Sequence, residues 1–322
     1  MTSLGPVRTL IDFDTAPVFA IPVRYGAGGL TVREGVLLEG PQGWGEFAPW
    51  PGSTADELTR WLTAATEPGT VGWPEPLRGD VPIAATIPAV DPARAAALAA
   101  ESGCAVAEVT VGTGPIDDDV ARVVAVRDAL GPGGAVRCDA GGRWDVDTAI
   151  RSIGAIVDAV GDLQYVERPC REFGDVAAVR RRVGVLVAMP AAGAKLGALA
   201  DAADVAVLAC APLGGVRRAL RVAETVGLPC VVTSTFGTSI GLAAGLALAG
   251  SLPALPYACA LGTRALLDGD VVGEGRSLLP RNGRLPVAPM PPGPDPALVR
   301  RYAVTDPATV DGWRRLVRSV LD

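Results

Sequence analysis

The sequence predicts an α/β protein in which a small α+β unit precedes a closed (β/α)8 barrel of the TIM type. Two patterns carry that reading. From about residue 81, short β-branched runs alternate with Ala/Arg/Asp-rich stretches of helical period. The first 80 residues lack this alternation and hold strand-like runs with one helix-like stretch. Strand–helix repetition builds parallel βαβ units. Eight strand runs over about 200 residues favour a closed barrel over an open doubly wound sheet.

In chain order, VRTLIDFDT (7–15), TVREGVLLEG (31–40) and GWGEFAPW (43–50) are read as strands of an antiparallel sheet, and ADELTRWLTAAT (55–66) as a helix. The barrel runs are VPIAATIPA (81–89), AVAEVTV (105–111), AVRCDA (135–140), LQYVE (163–167), VLVAM (185–189), VAVLAC (205–210), PCVVTS (229–234) and YACAL (257–261). Between them VARVVAVRDAL (120–130) and VRRALRVAETV (216–226) place apolar residues at helical spacing. A Pro-rich stretch, PVAPMPPGPDP (286–296), leads to an amphipathic helix, DGWRRLVRSVL (311–321). The expected division is a capping unit of residues 1–80, completed by a returning segment 281–322, and a barrel of residues 81–280.

Composition narrows the function. The chain has 322 residues, is 49% hydrophobic and 20% charged, and carries a net charge of −6. That supports a sizeable core and argues against a nucleic-acid binder, since the densest basic cluster is Arg180–Arg182, read as a solvated helix face. The longest apolar run, residues 240–250, falls short of the roughly 18 residues of a membrane span. The N-terminal stretch contains Asp12 and Asp14 and no long apolar core, unlike a secretory signal. Six scattered cysteines without a C-x-x-C pair read as small core residues in a reducing compartment. A cytoplasmic protein is expected. The sequence has no histidine, which excludes Ser-His-Asp and Cys-His mechanisms and His-ligated metal sites within this chain. It has one lysine, Lys195, against 28 arginines.

Barrels of this kind work at the C-terminal ends of their strands. The third run ends with Asp139 and the fourth with Glu167. Two carboxylates on adjacent strand ends suit a hard cation with oxygen ligands. Equally, they are loop-side acids that cap helices or pair with Arg143 and Arg168.

The segments 31–50, VPIAATIPAV (81–90), CDAGGRW (138–144), YVERPC (165–170), ADVAVLACAPLGGVRRAL (203–220), TSTFGTSIGLAAGLALA (233–249) and CALGT (259–263) are similar to those of o-succinylbenzoate synthases, members of the enolase superfamily related to muconate lactonizing enzymes. The resemblance runs from about residue 10 to the terminal helix. It implies an enolase-superfamily fold, an α+β capping domain with a modified (β/α)8 barrel. It also implies a carbon–oxygen lyase of menaquinone biosynthesis that uses Mg2+ to dehydrate a cyclohexadiene carboxylate. That chemistry needs a cation to hold an enediolate and a positioned base.

The family's lysines end the second and sixth strands, and its acidic metal ligands end the third, fourth and fifth. Asp139 and Glu167 match two of the ligands. The second-strand K-x-K motif is here Glu108-Val109-Thr110, so Thr110 stands at the base position. Ala209 stands at the sixth-strand lysine, and Pro190-Ala191 at the fifth-strand acidic pair. Gly141 and Gly237 replace a usual Asn and Asp, and the fifth unit is about five residues short.

Thr110 is far too weak an acid to serve as a base near neutral pH. Lys195, just past the fifth strand, is either a surface residue or a substitute that swings inward. Glu108 shares a strand face with Thr110 under the period-two rule and is a possible substitute ligand beside Asp139 and Glu167. Three readings follow: an impaired or inactive pseudoenzyme, or a regulatory protein, that holds a small carboxylate; an active lyase with a rearranged metal site; or a different barrel chemistry using Arg143 or Cys210. The resemblance places Thr235, Gly237, Thr238, Gly262 and Thr263 around the substrate pocket. The expected partner is a small-molecule carboxylate, with no nucleic acid and no membrane.

Overall fold

The computed structural model describes residues 11–321. Three antiparallel strands open the chain: β1 (Val18–Pro22), β2 (Val32–Gly40) and β3 (Gly43–Phe47), in the order β1-β2-β3. The expected strand at 7–15 is corrected, for the part that lies within the described residues. Asp12 accepts hydrogen bonds from the backbone of Asp14 and Thr15 and from the Thr15 hydroxyl, and this local turn displaces extended pairing. The first strand is VFAIP instead.

Helix α1 (Ala55–Thr70) packs on this sheet. It begins with a capping box: Thr54 accepts from Glu57 N while the Glu57 carboxylate accepts from Thr54 N. Its apolar face, Trp61, Leu62 and Ala65, joins Val36, Leu38 and Phe47 in one core.

The chain then enters the barrel. The run 81–89 splits in two. β4 (Asp80–Pro82) pairs antiparallel with the late strand β12 (Arg284–Pro286), while β5 (Ala84–Ile87) is the first barrel strand. So the start of the segment expected to return to the cap pairs instead beside the start of the barrel. Six more parallel strands follow: β6 (Val106–Thr110), β7 (Ala135–Asp139), β8 (Val166–Glu167), β9 (Val187–Pro190), β10 (Val205–Ala209) and β11 (Cys230–Thr233). The eighth run is reduced to two bridges, Cys259 to Ile83 and Ala260 to Thr233. Those bridges join the two edges of the seven-stranded sheet and close the ring.

Helices α2 (Pro92–Ser102), α3 (Ile116–Leu130), α4 (Val146–Val160), α5 (Phe173–Arg180), α6 (Leu196–Ala202), α7 (Cys210–Leu213), α8 (Val216–Val226) and α9 (Ser239–Ser251) alternate with these strands. α6 has only 7 residues, in the unit that looks shortened in sequence. After α10 (Pro296–Arg301), α11 (Pro307–Leu321) lies on the capping sheet, where Trp313 meets Phe47 edge to face with ring centroids 6.3 Å apart. Among the described residues no helix is long and apolar enough to cross a membrane. All six cysteines are free and buried.

Candidate functional site at the barrel mouth

Which side chains face the lumen follows from the pleat. Val109, Cys138, Val166, Met189, Ala206 and Leu208 lie in the core between strands and helices. Their alternates therefore face inward. Thr110, Asp139, Glu167, Pro190 and Ala209 thus all stand on the lumen face at the C-terminal ends of their strands. Thr110 is in register with Asp139, and Asp139 with Glu167. Ala209 is in register with Thr233. Cys210 points the other way, into the outer core, and burial pushes its thiol upward, away from the reactive thiolate.

The lumen floor beneath this ring is half apolar and half charged. Tyr165, Ala188, Val205, Val207 and Val231 fill one side. On the other, Arg137, fully buried, donates from Nε to Glu108 Oε2 at 2.8 Å and from Nη1 to the Ala258 carbonyl at 2.7 Å. Its guanidinium also sits 4.9 Å from the Tyr165 ring centroid. This corrects the expectation for Glu108. It does share the lumen face with Thr110, but its carboxylate is committed to Arg137. Among the described residues no three acids are grouped so as to hold a metal. Arg137 itself escaped the sequence reading, although it lies two residues before Asp139 and period two places it inward.

Asp139 Oδ1 accepts from Gly141 N at 2.8 Å and lies 3.9 Å from Arg168 Nη2. Burial, and then the neighbouring Asp139 and Glu108, hold the Glu167 carboxyl well above its ordinary range, toward the protonated form. Burial raises Glu108 as well, against the pull of Arg137. Arg143 donates from Nη1 to the carbonyls of Ala140 and Val111 and lies where a Cβ on Gly141 would go. Gly141 has φ +63°, so a side chain there would be disfavoured twice over.

This donor set does not fit Mg2+. That ion demands near-octahedral oxygen coordination at roughly 2.0–2.1 Å. Here two acids share the mouth with a guanidinium, and a proline stands at the third position. Lys195 is exposed at the N-terminal end of α6.

The pocket residues divide. Ser234 and Thr235 line a cavity of about 30 Å3 under the cap with Glu46 and Trp61. Thr263 donates to Ser234 Oγ at 2.7 Å, and Gly262 abuts the Ala84 carbonyl. Thr238 is wholly buried, and Glu46 of β3 accepts from its N at 3.0 Å and from its Oγ1 at 2.5 Å. Gly237 packs against the same carboxylate. Thr238 and Gly237 therefore hold the cap to the start of α9 and offer no group to a ligand in this conformation. Glu67 of α1 does the same at α8, accepting from Val216 N at 2.6 Å and Arg217 N at 3.1 Å. Gly215 permits that approach: its φ is +106°, and a Cβ there would stand 2.5 Å from Glu67 Oε2.

A capping sheet over a ring-closed parallel sheet, with acids on adjacent strand ends, is the architecture of enolase-type proteins. Residues 18–69 match the enolase N-terminal domain-like family and residues 91–294 the enolase C-terminal domain-like family. Among solved structures, the chain is similar to muconate lactonizing enzyme from Pseudomonas fluorescens, with a TM-score of 0.77, 19% identity, and 91% and 98% of the two chains covered. That likeness establishes the fold alone. Sequence relatives are more specific. An o-succinylbenzoate synthase of Thermobifida fusca is 51% identical over 280 residues, covering 85% of this chain and 87% of that one. Another, of Mycobacterium ulcerans, is 42% identical over 305 residues, covering 92% and 90%. The chain belongs to the o-succinylbenzoate synthase family of the enolase superfamily.

Proposed function

We propose that this chain is a family member that no longer carries out the dehydration and instead holds a small carboxylate at the barrel mouth. One observation carries the reading. The lumen ends of β6, β9 and β10 present Thr110, Pro190 and Ala209, none of which can take up a proton near neutral pH or bring a charged ligand to a cation. A single general base contributes about 10²–10⁴ in rate, and here the base, the second ammonium group and one acid are missing together. Lys195, the chain's one ammonium side chain, is exposed. The commitment of Glu108 to Arg137 removes the support for a rearranged lyase. Retention of a ligand is argued from Arg168, whose half-exposed guanidinium stands at the mouth.

The reading is tested by supplying the purified chain with the cyclohexadiene carboxylate substrate and Mg2+ or Mn2+, and following aromatic product. No product above the uncatalysed background is expected. Turnover at about 1 s⁻¹ or faster, the range of ordinary enzymes, overturns it. Calorimetric titration with o-succinylbenzoate checks the second half: saturable binding is expected, and flat heats remove the carboxylate assignment.

A further inference from the structure

We infer that Arg168 supplies, from within the chain, the positive charge that a divalent cation would otherwise bring to the Asp139–Glu167 pair, so that this barrel mouth is built to stand without a metal. The backbone is the first observation. Glu167 faces the lumen, so its successor should point outward to the helices. Arg168 instead adopts φ +45°, a left-handed conformation that a non-glycine residue rarely takes and that carries a conformational cost. The turn is fixed on both sides: Arg168 N donates to the Ala188 carbonyl at 2.8 Å, and its own carbonyl accepts from Gly142 N at 2.6 Å. Its effect is to bring the guanidinium back toward the mouth.

The second observation is where that guanidinium ends. Its ion-pair partner among the described residues is Asp139, at 3.9 Å, and its Nε is buried without a hydrogen-bond partner. It is therefore not drawn away by another acid. The remaining charges of the lumen are already matched, since Arg137 and Glu108 form a closed pair at 2.8 Å. A divalent ion placed between Asp139 and Glu167 would meet the Arg168 guanidinium at short range and find Pro190 where a third carboxylate is needed. Arg168 thus opposes the ion that the family's chemistry uses.

The experiment separates the cation from the missing ligand. Mn2+ is titrated into the full chain and into Pro190→Asp, Arg168→Met and the double variant, with free Mn2+ followed by electron paramagnetic resonance and melting temperature followed in parallel. The unaltered chain is expected to show no saturable binding up to about 1 mM and no melting shift with chelator. Pro190→Asp restores the third acid but keeps Arg168. Adding Arg168→Met to it is expected to tighten Mn2+ binding by at least about tenfold and to make the melting temperature rise with Mn2+. Stoichiometric binding by the unaltered chain at micromolar Mn2+ overturns the inference. So does a Pro190→Asp chain that binds as tightly as the double variant. If the Arg168→Met chains do not fold, Arg168→Gln, which also removes the charge, takes their place with the same expected and overturning outcomes. The inference rests on the family placement of the acids but not on loss of activity. Turnover would overturn the proposed function and leave it standing, whereas Mn2+ binding without turnover would do the reverse.

Discussion

Four buried or half-buried carboxylates of this protein fall into two pairs that behave oppositely. At the seam between cap and barrel, Glu46 and Glu67 each meet the N-terminal end of a helix and accept backbone N–H bonds there. At the barrel mouth, Asp139 and Glu167 face each other across adjacent strands, with only a loose guanidinium contact between them and neutrality. The seam pair is satisfied by the fold itself. The mouth pair has no helix end to meet: Asp139 accepts from Gly141 N and lies 3.9 Å from Arg168. A burial figure alone would not have told them apart; the partners do.

The floor of the lumen gives the largest expected effect. Arg137→Met would leave Glu108 buried without a counter-ion, and breaking such a pair from one side costs about 3–5 kcal/mol. The double variant Arg137→Met, Glu108→Met should recover most of that loss, read from urea midpoints. If the single variant is as stable as the parent, the lumen is wetter than its packing implies.

At the seam, Glu46→Ala removes the acceptor for Thr238 N, Thr238 Oγ1 and Gly241 N. A loss of about 3 kcal/mol is expected from three orphaned donors. Asp139→Asn, by comparison, should leave thermal stability nearly unchanged. A larger loss from Asp139 than from Glu46 would invert the distinction between the pairs.

The same Glu46 sets a pH dependence. Burial raises its carboxyl from 4.5 to about 6, outweighing Arg33 and the Thr238 and Gly241 hydrogen bonds. A raised folded-state value means that the folded protein binds the proton more tightly than the unfolded chain. Stability from this group is therefore fully present below pH 4.5 and declines as pH rises through 6. The decline amounts to about 2 kcal/mol. Between pH 4.5 and pH 7 the midpoint of Glu46→Gln should fall less than the parent's by about that amount, whatever its absolute stability, while the raised Glu67, Glu108 and Glu167 carboxyls keep their own share of the decline.

The smallest effect is expected at Lys195. Lys195→Ala should change stability by less than about 0.5 kcal/mol, as befits an exposed position, and should leave ligand binding at the mouth untouched. A marked loss of binding would show that the ammonium does reach the lumen.

Much of this was legible in the sequence. Period-two alternation is a local rule, and it puts Glu108 on the same face as Thr110 and Cys210 opposite Ala209, while the family resemblance matched Thr110, Asp139, Glu167, Pro190 and Ala209 to the strand ends. Helix α8 begins and ends where VRRALRVAETV does, because its apolar spacing and the flanking Gly215 and Gly227 are also local signals. VRTLIDFDT misled because the Asp12 side chain competes for the backbone, which a hydrophobic pattern does not register.

What the sequence determined by itself was the barrel, its cap, the family, and the residue types at each strand end. The barrel and cap follow from spacings short enough for one chain segment to express, and the family and strand-end matches from the likeness of segments such as 138–144 and 165–170. The tertiary structure alone decided which charges meet. Glu108 finds Arg137 29 residues away, Glu46 finds Thr238 192 residues away, and Arg168 turns inward through a left-handed backbone that no pattern of residue types announces. Charges interact through space at a few ångströms, and sequence separation carries almost no information about that distance.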